Sequence, residues 1–297
     1  MSEFSTISQA IAAIRLSRQP GVGATTFKHL IQTYKTPRKA LDAVLKGLVV
    51  LNPINYSLMF KARSEEFLIK AIAMAESPAP GLGVTYFGAS NYPARLLKMK
   101  EPPPLVFYHG NLSALGAKNS IAIVGARTAS KKGLAIAFQL AETLSQKGVL
   151  VVSGGAAGID SAAHKGALSA NGLTAAVLGT GINITYPKQN GGLFLKISKQ
   201  GVLITELFPD TPPAANHFPT RNRIIAALAD AIVFVEGEKN SGALITVRKA
   251  ALLKKNIYYF SENAVGLKDG AKELKNIAPN AKAVTSVEAL IKLLKIK

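Results

Sequence analysis

A chain of 297 residues with no cysteine and no tryptophan carries 36 Lys and Arg against 17 Asp and Glu, a formal net charge of +19. The missing cysteine excludes disulfides, thiolate chemistry, cysteine-ligated zinc and iron–sulfur clusters, and an apolar fraction of 48% excludes a disordered polycation. The positive surplus points to nucleic acid, an acidic membrane surface or an anionic small molecule.

The first 76 residues read as helical. Ile7, Ile11, Ile14 and Leu16 fall near helical spacing, and Pro20, Gly21 and Gly23 then interrupt. Thr25 or Thr26 is placed to cap a second helix with Phe27, Leu30, Ile31 and Tyr34 on its apolar face, and Thr36-Pro37 opens a third through Leu41, Val44 and Leu45. Ser77-Pro-Ala-Pro-Gly-Leu-Gly83 has the composition of a linker. The expected domains are therefore 1–76 and 84–297, joined by 77–83. A strand at Val84–Gly88, a helix from Tyr92 to Met99 and the apolar Leu105–Tyr108 open the second.

From Ile121 short apolar runs alternate with helical spacing. The runs Ile121–Val124, Val149–Val152, Ala175–Leu178, Val202–Thr205, Ala231–Val235 and Ile257–Phe260 suit strands buried on both faces of a parallel sheet. Segments such as Leu134–Ser145 and Leu244–Leu253 lie between them as helices, so the fold class is α/β, a doubly wound, mostly parallel sheet behind a small all-α domain. A last helix is expected at Val287–Leu294. No leader sequence is evident, and the longest uncharged stretch, Gly166–Pro187, is too rich in Gly, Asn and Thr to span a bilayer. A cytoplasmic protein without a membrane partner is expected. His29, His109, His164 and His217 are scattered, so no metal is expected.

In such a sheet, ligands bind beyond the carboxyl ends of the strands. The first end gives Gly125-Ala-Arg-Thr-Ala-Ser130: Gly125 allows close approach, Arg127 offers a fork for phosphate, and Ser130 can cap a helix whose amides attract anions. The second gives Ser153-Gly-Gly-Ala-Ala-Gly-Ile-Asp160, where Gly154, Gly155 and Gly158 leave backbone amides bare. Asp160 is either a cap or a sugar-hydroxyl acceptor, and with no nucleophile nearby the Asp160/His164 pair reads as structural. The third gives Leu178-Gly-Thr-Gly181 and Tyr186-Pro-Lys188, with Lys188 a phosphate contact or an exposed loop lysine. After the fourth comes Phe218-Pro-Thr-Arg-Asn-Arg223. Arg221 and Arg223 flank Asn222 where a helix should begin, and Phe218 precedes them in a loop. Charge for phosphate and a ring for stacking are what a single-strand binder needs; alternatively Phe218 staples the loop to the core while an arginine pairs with Asp230 or Glu206. Ser241 reads as a cap for the helix after the fifth strand. Neither a G-x-x-x-x-G-K-[ST] loop nor a G-x-S-x-G or H-E-x-x-H motif occurs.

Taken in order, Pro20-Gly-Val-Gly23, Tyr92-Pro-Ala-Arg95, Pro103-Pro-Leu-Val-Phe107, Ile123-Val-Gly-Ala-Arg127, Ser153 to Asp160, Leu178-Gly-Thr-Gly181, Phe218-Pro-Thr-Arg-Asn-Arg223 and Ser241-Gly-Ala-Leu-Ile-Thr246 resemble the DNA-processing protein A family, DprA or Smf. The resemblance implies an extended Rossmann-like core behind a sterile-alpha-motif or helix–hairpin–helix domain. It also implies cooperative single-stranded DNA binding, a homodimer through the Rossmann-like domain, and loading of RecA recombinase during natural transformation. No enzymatic activity and no cofactor are implied. By motif, the DNA-binding residues would be Gly125, Arg127, Ser130, Gly154, Gly155, Gly158, Lys188, Phe218, Arg221, Asn222 and Arg223. This sequence has Ala126 where the family commonly has serine, and no C-terminal winged-helix domain is expected, because only about 35 residues follow the last sheet strand. The alternative is a Rossmann-type nucleoside monophosphate phosphoribohydrolase, whose Pro-Gly-Gly-x-Gly-Thr motif is absent; the region reads Glu236-Gly-Glu-Lys-Asn-Ser-Gly242.

Overall fold

The N-terminal stretch folds as α1 (Glu3–Leu16), α2 (Ala24–Tyr34), α3 (Pro37–Leu45) and α4 (Glu65–Glu76) in a computed structural model that describes residues 3–51, 65–261 and 269–296. The part of the helical expectation over 52–64 lies outside the described residues. Gly21, at φ +82, turns the chain after α1, where the Val22 N–H donates to the Gln19 carbonyl at 3.1 Å. The expected threonine cap of α2 is corrected: Gly23 is the N-cap, with no side-chain bond, and Thr25 and Thr26 lie inside the helix. Thr36 does cap α3, accepting from the Lys39 N–H at 3.3 Å ahead of Pro37. Ile14, Leu16, Phe27 and Leu30 are buried at the centre of these helices.

Two strands belong to the same unit, β1 (Leu82–Tyr86) and β2 (Leu105–Gly110), paired antiparallel with Tyr86 opposite Leu105. The Tyr92 hydroxyl donates to the Pro103 carbonyl at 2.7 Å, which joins two of the sequence motifs. The helix between them is only α5 (Ala94–Leu97), shorter than the 92–99 expected. This unit comprises residues 1–109, 181–184 and 205–212. Phe107 and Phe208 meet in it at 5.5 Å, and Asp210 accepts from Lys70 at 2.6 Å and from Asn183 at 2.7 Å. The 77–83 stretch falls inside the unit, its last two residues already in β1.

The second unit alternates β3 (Ser120–Val124), α6 (Lys131–Gln146), β4 (Leu150–Ser153), α7 (Ile159–Ser169), β5 (Thr174–Val177), α8 (Gly191–Gln200), β6 (Val202–Thr205), α9 (His217–Leu228), β7 (Ala231–Phe234), α10 (Gly242–Leu252), β8 (Asn256–Phe260), α11 (Gly270–Ile277), β9 (Lys282–Val284) and α12 (Val287–Leu294). Its seven strands are parallel, in the order β6-β5-β4-β3-β7-β8-β9. Ile121 and Ile123 share a core with Leu140 of α6, Ala163 of α7, Val233 of β7 and Leu290 of α12. The alternate residues Ala122, Val124, Ile232 and Phe234 face the other way and are buried as well. Burial on both faces is why these strands read as unbroken apolar runs. The sheet gains β9 from a tail that the sequence offered only as a terminal helix. Its three residues include two exposed ones, so no apolar run announces it.

Candidate nucleic-acid interface

The strand order reverses where β3 adjoins β7, and a doubly wound sheet leaves its ligand crevice at such a point. A cavity of 1190 Å³ opens there, walled by residues 124–128 after β3, 238–243 after β7 and the start of α9. Backbone bonds lace the loops together. The Ala126 N–H donates to the Glu236 carbonyl at 2.8 Å, and the Ala126 carbonyl accepts from the Ile159 N–H at 3.1 Å. Gly125 and Gly158 are required by this lacing. A Cβ on Gly125 would stand 2.6 Å from Ile159 Cγ1, and one on Gly158, at φ +77, would strike the carbonyl oxygens of Ala126 and Arg127.

Two of the protein's own carboxylates occupy places where a ligand anion was expected. Buried Glu236 accepts from the Ser130 N–H at 2.6 Å through Oε1 and from the Ser130 hydroxyl at 2.6 Å through Oε2. Ser130 Oγ in turn accepts from the Gly133 N–H at 2.9 Å, so Ser130 caps α6 as expected. The positive end of α6 is thereby met by an internal anion. Asp160 Oδ2 accepts from the N–H groups of Gly154 at 3.1 Å and Ala156 at 3.3 Å, so these amides of the glycine-rich turn are not bare. Burial pushes the Asp160 carboxyl up, against the pull of the Arg221 guanidinium.

Arg221, expected at a phosphate, is buried, and its Nη1 donates to the carbonyls of Gly154 at 2.5 Å and of Val177. Its Nε donates to Asn222 Oδ1 at 3.1 Å, and Asn222 Nδ2 donates to the Gly242 carbonyl at 3.1 Å. Burial lowers the guanidinium pKa to about 10; Asp160 opposes the shift and Arg127 adds to it. The physical reason is where the helix starts. α9 begins at His217, earlier than expected, because Pro219 falls in the first turn, where no N–H partner is needed. Arg221 and Asn222 therefore face inward and tie α9 to the ends of β4 and β5 and to the start of α10.

Phe218 accordingly lies in the first turn of α9 and not in a loop. Its ring sits on Gly179, where a Cβ would come within 2.5 Å of Phe218 Cδ1. It packs against the Tyr186 ring at 5.4 Å, and Arg127 Cζ stands 5.3 Å from its centroid. Phe218 is half-buried and Arg127 exposed. Of the sequence-predicted residues, Gly125, Arg127, Phe218, Arg221 and Asn222 line the cavity, Ser130, Gly154 and Gly158 are placed by the contacts above, and Gly155, at φ +69 against the Phe194 ring, lies outside the lining. Arg223, about 200° around the helix from Arg221, is half-buried outside the lining. Lys188 is exposed on a 3-10 turn, Lys188–Asn190, also outside it.

Gly179, Glu236 and the Lys239-Asn240 loop were missed by sequence reading. Only the ring position of Phe218 gives Gly179 its meaning, and Glu236 acts on a residue 106 positions away. Ser241 stands at the N-cap of α10 but makes no cap bond, which corrects that reading. Glu238 and Asp269 share the rim with Lys239, so the cationic side of the cavity is the one that carries Arg127. His164 is wholly buried and bonds Thr174 Oγ1 at 2.7 Å; burial, then Arg221, hold its pKa down to about 3. It is a neutral structural residue. Among the described residues no group of His, Asp and Glu could hold a metal ion, and no helix is long and apolar enough to cross a membrane.

A doubly wound parallel sheet, with an arginine and an aromatic ring at the mouth of its switch-point crevice, defines a Rossmann-like α/β ligand-binding protein. The fold matches the crystal structure of DprA from Streptococcus pneumoniae with a TM-score of 0.74 at 26% identity, covering 100% of this chain and 99% of that one. The chain belongs to the DNA recombination-mediator protein A family, whose model matches residues 83–295; residues 8–45 match the DprA-like N-terminal HHH domain. The S. pneumoniae DNA processing protein DprA is 38% identical over 196 residues, 66% of this chain and 68% of the relative. Protein Smf of Synechocystis is 38% identical over 171 residues, 57% of this chain and 43% of that protein, so the match spans less than half the relative's length. DNA processing protein A from Helicobacter pylori, whose structure was described for its single-stranded DNA binding mode, matches with a TM-score of 0.64 at 25% identity, over 71% of this chain and 95% of that one.

Proposed function

We propose that this protein binds single-stranded DNA at the β3/β7 crevice and delivers the strand to RecA, with no bond broken. The observation that carries the reading is the exposed Arg127 guanidinium over the half-exposed Phe218 ring. One supplies charge for a phosphate and the other a face for a base, the pairing that sequence-tolerant single-strand binders use. The relative described for its single-stranded DNA binding mode supports the same reading. Arg223 and Lys188 supply further phosphate contacts. Arg221, Asn222, Ser130 and the glycines position the loops through the contacts described above. The protein works as a cytoplasmic homodimer paired through its Rossmann-like unit.

Fluorescence anisotropy with a single-stranded oligonucleotide and its duplex over a salt series tests this. The single strand should bind more tightly, with a log–log salt slope of about −0.7 for each phosphate neutralised. Equal binding of the duplex, or release of free base from AMP, would contradict it.

A further inference from the structure

A second cationic surface lies on the helical layer beside α7 and α8. A groove of 830 Å³ runs between these helices, with Leu168 and Leu193 among its lining and Lys165, Lys196 and Lys199 along its edges. All three lysines are exposed, and none pairs with a carboxylate among the described residues. A carboxylate near the groove, Glu142 of α6, accepts from the Ser169 hydroxyl at 3.0 Å. Three exposed ammonium groups around one groove give it a positive potential that draws an anionic backbone.

The groove is continuous with the first site along the chain. Tyr186, 41% exposed, packs on Phe218, and Lys188 follows on its 3-10 turn. Asn190 pins that turn to α7 by donating to the Gly155 carbonyl and to Ser161 Oγ, each at 2.9 Å. Lys165 is four residues beyond Ser161, on the same face of α7. Gly192, Lys196 and Lys199 then follow along α8, a helix about 15 Å long, the span of a few nucleotides. Ring, lysine turn and lysine groove thus follow one another along the chain.

We propose that the α7/α8 groove is a second backbone track for single-stranded DNA: a strand held at Phe218 continues past Tyr186 and Lys188 and lays its phosphates along Lys165, Lys196 and Lys199. Leu168 and Leu193 give the sugars an apolar surface, and the polar lining groups Ser169 and Gln200 are already engaged, donating to Glu142 and to the Gly172 carbonyl, so the track is independent of sequence. This inference rests on the single-strand reading of the first site.

The test is anisotropy with wild type and the triple variant K165Q/K196Q/K199Q, on thymidine oligomers of about 8 and about 25 nucleotides, over a salt series. For the long oligomer the variant should lose about tenfold in affinity at low salt, and its log–log slope should flatten by about 2, three phosphates at about 0.7 each. The short oligomer should bind both proteins within about twofold, because it is held at the first site alone. An unchanged long-oligomer slope, with wild type still binding both oligomers, overturns the second track and leaves the first site standing. Equal losses on both lengths also overturn it, since that is the mark of a general field. Loss of binding to phosphatidylglycerol vesicles with DNA binding intact assigns the groove to a lipid surface and overturns it. Failure of wild type to bind either oligomer removes the first-site reading as well.

Discussion

Arg127 lies over the ring of Phe218, its guanidinium carbon 5.3 Å from the centroid. The two side chains come from distant motifs, one after β3 and the other on the first turn of α9, and Gly179 after β5 seats the ring from below. Three strand-end segments therefore converge on one pair, an exposed guanidinium and a half-buried ring. A base that stacks there meets a surface whose orientation is fixed by the sheet, and a fixed platform reduces the ordering cost of binding.

The seat itself is testable without touching a DNA-facing group. Gly179→Ala places a methyl group 2.5 Å from Phe218 Cδ1, so the ring must leave its position. Single-strand affinity should fall about fivefold, the lower end of what a lost stacking contact costs at about 1 kcal/mol. Phe218→Ala added to Gly179→Ala should change little further, because both act on the same contact. Anisotropy on the single and double variants checks this.

Arg221 and Arg127 should separate into stability and binding. Arg221→Met removes the donor to the Gly154 and Val177 carbonyls and leaves Asp160 buried without its cation. Leaving buried carbonyls without their donor costs about 1–3 kcal/mol each, so urea unfolding should show a large loss. Arg127→Ala, at an exposed site, should leave the unfolding free energy within about 0.5 kcal/mol of wild type.

Much of this division was hidden in the sequence. The six main strands read correctly because burial on both faces forces continuous apolar runs, and α12 matched its spacing. Arg127 and Phe218 were legible as a cation and a ring near strand ends. The inward turn of Arg221 was not, because it depends on α9 starting at His217 with Pro219 inside the first turn. Nor did the glycine-rich loops reveal that Glu236 and Asp160 already satisfy amides at Ser130, Gly154 and Ala156. Those contacts link residues remote in sequence or depend on a turn geometry that composition does not specify. β9 was missed for the opposite reason: a three-residue edge strand has too few buried positions to leave a pattern.

The cap on α6 predicts a purely structural effect. Ser130→Ala deletes the acceptor for the Gly133 N–H and the hydroxyl donor to Glu236. A cap of this kind contributes about 1 kcal/mol. Thermal or urea unfolding should register that loss, while single-strand affinity, measured where the variant is folded, stays within about twofold of wild type.

His164 gives stability a pH dependence with a defined sign. Its pKa is about 3 in the fold and 6.5 as a free side chain, so between those values the unfolded chain binds more protons. The contribution is complete above pH 6.5 and is lost as pH falls towards 3, at up to about 1.4 kcal/mol per pH unit. Asp160 titrates in wild type and variant alike, so comparison with His164→Gln isolates this group. The difference in urea midpoint between the two proteins at pH 7 should shrink by pH 4.5.

Single-strand affinity of Arg127→Ala against wild type at matched salt, with unfolding midpoints measured in parallel, probes the crevice most directly. An unchanged midpoint with a loss of about tenfold or more, and a shallower salt slope by about 0.7, is the predicted result. Equal affinity and equal slope in the two proteins would contradict DNA binding at the Arg127–Phe218 pair.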